Sequence, residues 1–122
     1  MENLLKILLG TILVLIFTGC VQEEHLKKVT FRLDMRAVQN VGKLGLKGEF
    51  TNPQWEQIIP LLDTNGDHIY EATVSHETAQ NTVEFKFVLN GIYELKDQEN
   101  RVLRFKYEPE DLLYDAVFDK KD

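Results

Sequence analysis

Cys20 is the only cysteine of the chain, so neither an intrachain disulfide nor a cysteine-built zinc site is open to it. The histidines, His25, His68 and His76, lack metal-ligand spacing. His68 and His76 fall at opposite ends of one strand-like stretch. No glycine-rich phosphate loop and no nucleophile elbow occurs. Carboxylates are plentiful, yet no pair stands out as placed across a scissile bond, as a glycosidase requires. Asp63-x-Asn65-x-Asp67 begins like a calcium loop but then fails. His68 stands where glycine is needed, and Val74 where the bidentate glutamate belongs. Basic residues number 14 against 20 acidic ones, and a net charge of −6 opposes phosphate backbones, which argues against nucleic acid as a partner. The expectation is a non-enzymatic protein with no metal and no cofactor.

Long apolar runs are also scarce. Residues 7–17 form one, broken only by Gly10 and Thr11. It is shorter than the roughly 20 residues a membrane span needs. Lys6 precedes it and Thr18, Gly19 and Cys20 follow, the layout of a secretory signal peptide. Phe17-Thr18-Gly19-Cys20 resembles the bacterial lipobox. That resemblance implies removal of residues 1–19 and lipidation of Cys20, with several acyl chains anchoring the protein to a membrane. No Asp follows the cysteine, where Val21 and Gln22 stand, so the expected location is the outer membrane or cell surface of a bacterial envelope. Residues 20–28 read as a polar tether.

What remains is patterned for strands. Val29, Phe31, Leu33, Met35 and Ala37 alternate with Thr30, Arg32, Asp34 and Arg36. Leu44, Leu46, Gly48 and Phe50 alternate likewise, until Asn52-Pro53 opens a loop holding Trp55. Residues 58–62 contain Pro60 and read as an edge strand at best. Residues 63–67 are turn chemistry, leading into a strand over residues 68–75. Val83, Phe85, Phe87 and Leu89 form the next, and Asn90-Gly91 turns it back as a hairpin. Leu103, Phe105 and Tyr107, then Leu112, Tyr114, Ala116 and Phe118, complete the set. No helical period appears beyond the N-terminal run. The fold class expected is all-β: an antiparallel β-sandwich of about seven or eight strands over residues 29–122.

The segments VTFRLDM, LGLKGEF, NPQW, IIPLLDTNGDHIYEATV, VEFKFVLNG, YE and ENR occur in that order. In this order they resemble starch-binding modules of carbohydrate-binding family 20 and, more loosely, the glycogen-binding family 48, over residues 29–107. The resemblance implies an immunoglobulin-like sandwich that binds α-glucan. Its site consists of two rings, a lysine, a glutamate beside the second ring and an asparagine before arginine. Carried over, these are Trp55, Tyr93, Lys86, Glu94 and Asn100. The second ring of the family is usually Trp, and here the stretch over residues 94–100 is longer than usual.

Physical chemistry supports such a set. Flat rings cover the C–H faces of a sugar, and polar side chains meet its hydroxyl rim. The same residues have simpler uses. Trp55 could fill a loop core and Tyr93 a sheet edge. Lys86 and Glu94 could be a solvated cross-strand pair, and Asn100 a turn residue. The function expected is non-catalytic α-glucan binding at a lipid-anchored surface, alongside separate glycan-processing or transport proteins. The alternative is a protein-interaction module on the same sandwich.

Overall fold

Burial alternates along the strands with the expected period of two. In β1 (His25–Asp34), Val29, Phe31 and Leu33 are buried while Thr30 and Arg32 lie on the outer face. The computed structural model describes residues 22–122; the expected signal peptide and Cys20 lie outside the described residues. β1 is the middle strand of a three-stranded sheet, between β4 (Ile69–Thr78) and β8 (Glu110–Val117). A second sheet holds β2 (Leu44–Gly48), β3 (Ile59–Pro60), β5 (Thr82–Leu89), β6 (Ile92–Tyr93) and β7 (Arg101–Arg104). Phe31 of the first sheet meets Phe85 and Phe87 of the second at ring-centroid distances of 5.1 and 6.4 Å. Val29, Leu33, Met35, Leu44, Leu46 and Val83 belong to the same buried layer, with Leu61, Phe105 and Tyr114. The protein is an all-β sandwich. Each fully buried Phe or Leu contributes about 1.5–3 kcal/mol, so a single apolar layer suffices for a domain of this size.

β5 is the axis of the second sheet. β2 pairs along one of its edges. The other edge is shared end to end by β7, opposite residues 82–85, and by β6, opposite Val88 and Leu89. Between them, beside Lys86 and Phe87, the chain leaves the ladder and runs out as a loop over residues 94–100. The β5–β6 hairpin closes through Asn90 and Gly91, both at positive φ (52° and 81°), the conformation that Asn-Gly adopts cheaply. In the loop before β4, Asp63 accepts the N–H groups of Gly66 and His68 at 2.9 and 3.0 Å, so its carboxylate shapes a turn.

Among the described residues every strand pairing is antiparallel except that of β1 with β8. The exception follows from the crossover after β7. It delivers the chain back to the first sheet at the end where β1 begins, so the two strands run the same way. Lys27 secures that crossover. Its side chain is buried, and its ammonium donates to the carbonyls of Lys106 (2.7 Å) and Glu108 and to the Glu110 carboxylate (2.9 Å). Residues 25–28, expected in the tether, therefore belong to β1. A buried ammonium needs several acceptors, and only the returning chain supplies them.

The bond from Lys27, joined by one from the Lys106 N–H, holds the Glu110 carboxyl below its ordinary value of 4.5, against the opposing effect of burial. A depressed carboxyl contributes stability above its unfolded-state pKa and loses it as pH falls through the folded value. Wild-type protein should therefore lose thermal stability on acidification below about pH 4.5. Glu110→Gln should show a shallower loss over the same range, read by circular dichroism melts between neutral and acid pH. Parallel curves for the two proteins would contradict the assignment.

Candidate functional site

The outer face of the second sheet carries the residues singled out from the sequence. Strand alternation sends Phe85 and Phe87 into the core and Lys86 and Val88 to the opposite face, where Val88 is itself covered. On β2, Lys47 stands directly opposite Lys86. On β6, Tyr93 pairs with Val88 and so shares its face. Trp55 arrives from the loop after β2, and Asn100 from the end of the 94–100 loop. Trp55, Lys86, Tyr93 and Asn100 together line one shallow groove of about 330 Å³.

The Trp55 loop is rigid by construction. Its N–H donates both to the Gly48 carbonyl (3.1 Å) and to the Thr51 hydroxyl (3.0 Å). That hydroxyl is buried and donates to Gly48 as well (2.7 Å). Gly48 makes this packing possible, since a Cβ there would come within 2.6 Å of the Glu84 carbonyl and the Phe85 side chain. Trp55 has φ 62°, a left-handed conformation costly for a bulky side chain. Strain of this kind costs on the order of 1–3 kcal/mol and persists only where the surroundings enforce it. Here it lifts the indole onto the rim of the groove, half-buried rather than inside the core.

Tyr93 is 40% exposed. Its ring centroid lies 6.3 Å from that of Trp55, with the planes inclined at 64°. The phenol donates to the Trp55 carbonyl at 3.4 Å. The two rings thus form an angled corner. Lys47 brings its ammonium to 5.6 Å from the Tyr93 centroid, within cation–π reach. Lys47 was missed from the sequence, although its alternation with Leu44, Leu46 and Gly48 already placed it on the polar face. Only the β2–β5 register shows that it stands beside this groove.

Lys86 is half-buried and donates to the Leu95 and Gln98 carbonyls at 3.2 and 3.0 Å. Two of its three N–H groups thus brace the 94–100 loop, and the third is left for a group in the groove.

Glu94 departs from the expectation. Its side chain is fully buried and faces inward, away from Tyr93. Between β6 and β7 the Phe87 N–H has lost its strand partner, and the Glu94 carboxylate replaces it at 2.9 Å. Arg101, also fully buried, grips both carboxylate oxygens at 2.7 and 2.8 Å. The Asp119 N–H fills a fourth position at 3.0 Å. No lone pair is left for a sugar hydroxyl, so Glu94 is a structural residue beneath the groove and not part of its rim. Arg101 was not singled out from the sequence, where an arginine after Asn100 served only as a landmark. Its remaining donors reach the Tyr114 hydroxyl (3.3 Å), the carbonyls of Val117 and Lys120 (3.0 and 2.8 Å) and Asp122 (3.3 Å). Burial, together with the bond to the Asp122 carboxylate, pushes the Tyr114 phenol up to about 12.

The groove offers two inclined rings, an ammonium group and an amide, with the Lys47 ammonium beside the Tyr93 ring. It can hold a neutral, polyhydroxylated ligand with apolar faces. Compared with known proteins, the chain matches no protein-family model and no curated sequence.

Proposed function

We propose that this protein is a non-catalytic α-glucan-binding protein of the bacterial envelope, anchored through lipid on Cys20. The observation that carries the reading is the corner made by Trp55 and Tyr93, 6.3 Å apart and inclined at 64°, flanked by Lys86 and Asn100. An α-1,4-glucan winds, so successive glucose faces turn relative to one another and suit inclined rings. A β-1,4-glucan is a flat ribbon and suits coplanar ones. The lysines and the asparagine supply donors for the hydroxyl edge.

The layout of the domain agrees with this use. Gln22 lies beside residues 79–82 and Tyr107, at the end of the sandwich where β5 begins. Lys86 and Val88 lie about 13 and 20 Å further along β5, at 3.3 Å per residue. A lipid at Cys20 would thus leave the groove displaced from the membrane end, where it could hold starch or glycogen fragments for neighbouring enzymes or transporters.

A shallow site of this kind binds in the micromolar to millimolar range, about −4 to −8 kcal/mol. Trp55 is the only tryptophan of the chain, so its fluorescence reports on the groove alone. Titration with maltoheptaose should change that emission and release heat in a calorimeter, and cellohexaose should do neither. The protein should be retained by insoluble starch and not by cellulose. Silence toward every maltooligosaccharide would remove the reading. A protein-docking module is the second reading, favoured by exposed Ile58 (52%) and Leu62 (61%) around an adjoining apolar groove.

A further inference from the structure

We propose that residues 119–122, which follow β8, act as a strap that holds the 94–100 loop in its binding conformation, with Asp119 and Lys121 as positioning residues for the groove. The inference rests on the glucan reading for its ligand, but not for its geometry.

The loop has an intrinsic difficulty. Leu95 and Asp97 both sit at positive φ, 54° and 61°, a conformation Asp tolerates but one that is costly for Leu95. Only one backbone bond is made within its span, from the Gln98 N–H to the Leu95 carbonyl at 3.0 Å. Yet this loop supplies Asn100 to the groove and the two carbonyls that orient Lys86. Something outside it must hold it.

The strap reaches the loop at both ends. At its start, the Leu95 N–H donates to the Asp119 carboxylate at 2.7 Å, and Leu95 is fully buried. At its end, the Lys121 ammonium donates to the carbonyls of Glu99 (3.2 Å) and Asn100. The strap is itself fastened below. The Asp119 N–H binds Glu94, the Lys120 carbonyl takes an N–H of Arg101, and Asp122 meets both Arg101 and the Tyr114 hydroxyl. Each of three groove residues therefore has a chain neighbour tied into one buried network: Phe87 beside Lys86, Glu94 beside Tyr93, and Arg101 beside Asn100. The strap residues lie outside the lining of the groove. They act by fixing the backbone that presents Asn100 and seats Lys86, and such preorganisation raises affinity by lowering the ordering cost of binding.

The double variant Asp119→Gly/Lys121→Ala tests this. Glycine tolerates the φ of 61° at position 119 and removes the side chain that carries the carboxylate, and the conservative Asp119→Asn variant below controls for the added backbone freedom. Amide hydrogen exchange at Leu95 and the rest of the loop should quicken by about tenfold, and maltoheptaose affinity should fall by about three- to tenfold. Exchange in the core strands should stay at the wild-type rate, which general destabilisation would not allow. Asp119→Asn, which keeps an acceptor oxygen, and Lys121→Arg, which keeps the donors, should restore both readouts. Unchanged loop exchange would overturn the strap, whatever the ligand. Faster exchange with affinity unchanged would overturn its positioning role. If the wild type ignores maltoheptaose, the glucan reading fails on its own. The strap is then judged by exchange and by whether the Asn100 side-chain amide signals shift and broaden in the variant; signals left as in the wild type would overturn it.

Discussion

Arg101→Met is expected to be among the most destabilising single substitutions in the molecule. It leaves the Glu94 carboxylate buried with its strongest partner gone, and the Tyr114 hydroxyl and two carbonyls lose a donor as well. Breaking a buried ion pair from one side costs about 3–5 kcal/mol, because the remaining charge is neither solvated nor compensated. Against a total stability of about 5–15 kcal/mol, that takes about a fifth of the stability or more. A domain of about a hundred residues loses roughly 4–8 °C per kcal/mol, so the melting midpoint should fall by at least about 12 °C. Arg32→Met is the comparison. Arg32 also pairs with two carboxylates, Glu71 at 3.0 Å and Asp115 at 3.6 Å, but on the exposed outer face of the first sheet. Exposed pairs of that kind contribute about 0–1 kcal/mol. The double variant Arg101→Met/Glu94→Gln should recover part of the loss, since glutamine keeps an acceptor for the Phe87 N–H and removes the stranded charge. Equal melting points for the Arg101 and Arg32 variants would show that the buried Arg101–Glu94 pair does not carry this stability.

Trp55→Ala and Tyr93→Ala should each weaken maltoheptaose binding by about 1–3 kcal/mol, roughly 5- to 150-fold. Both rings contribute apolar area that no neighbour can replace, and each also sets the inclination of the corner. For a ligand bound near the millimolar limit, such a loss places the variants beyond calorimetric detection. Tyr107→Ala serves as the control. Tyr107 is 67% exposed and as large as Tyr93, but it packs edge-on against His25 at the other end of the sandwich. Its loss should leave binding within about twofold of wild type. The Trp55 variant keeps the left-handed backbone without the indole, so its melting curve must accompany the titration. If all three variants bind alike while remaining folded, the sugar does not lie on the Trp55–Tyr93 corner.

The strands were legible because alternation is a local property. Val29, Phe31 and Leu33, or Val83, Phe85 and Phe87, announce an inner face whatever their partners are. The Asn90-Gly91 hairpin was legible for the same reason, as turn chemistry within a few residues. Locality also explains why Lys86 could be assigned to the outer face in advance, and why Tyr93 could be placed next to its strand.

Glu94 marks the limit. Next to Tyr93 in the chain, it looked like a rim group, and strand alternation alone turned it inward. What it does there depends on a missing ladder partner at Phe87, an arginine seven residues on and a backbone amide from Asp119, none adjacent in sequence. Lys27 looked like part of a solvated tether, because its three acceptors come from a segment 79 to 83 residues later. By itself the amino-acid sequence determined the class of fold, the order of the strands with their ends off by up to four residues, and which faces are polar. Tertiary structure alone decided which polar side chains meet, which charges are buried in pairs, and that the segment after the last strand underpins the groove. Side-chain periodicity is set by neighbours along the chain, whereas the partner of a buried charge is set by which distant backbone folds over it.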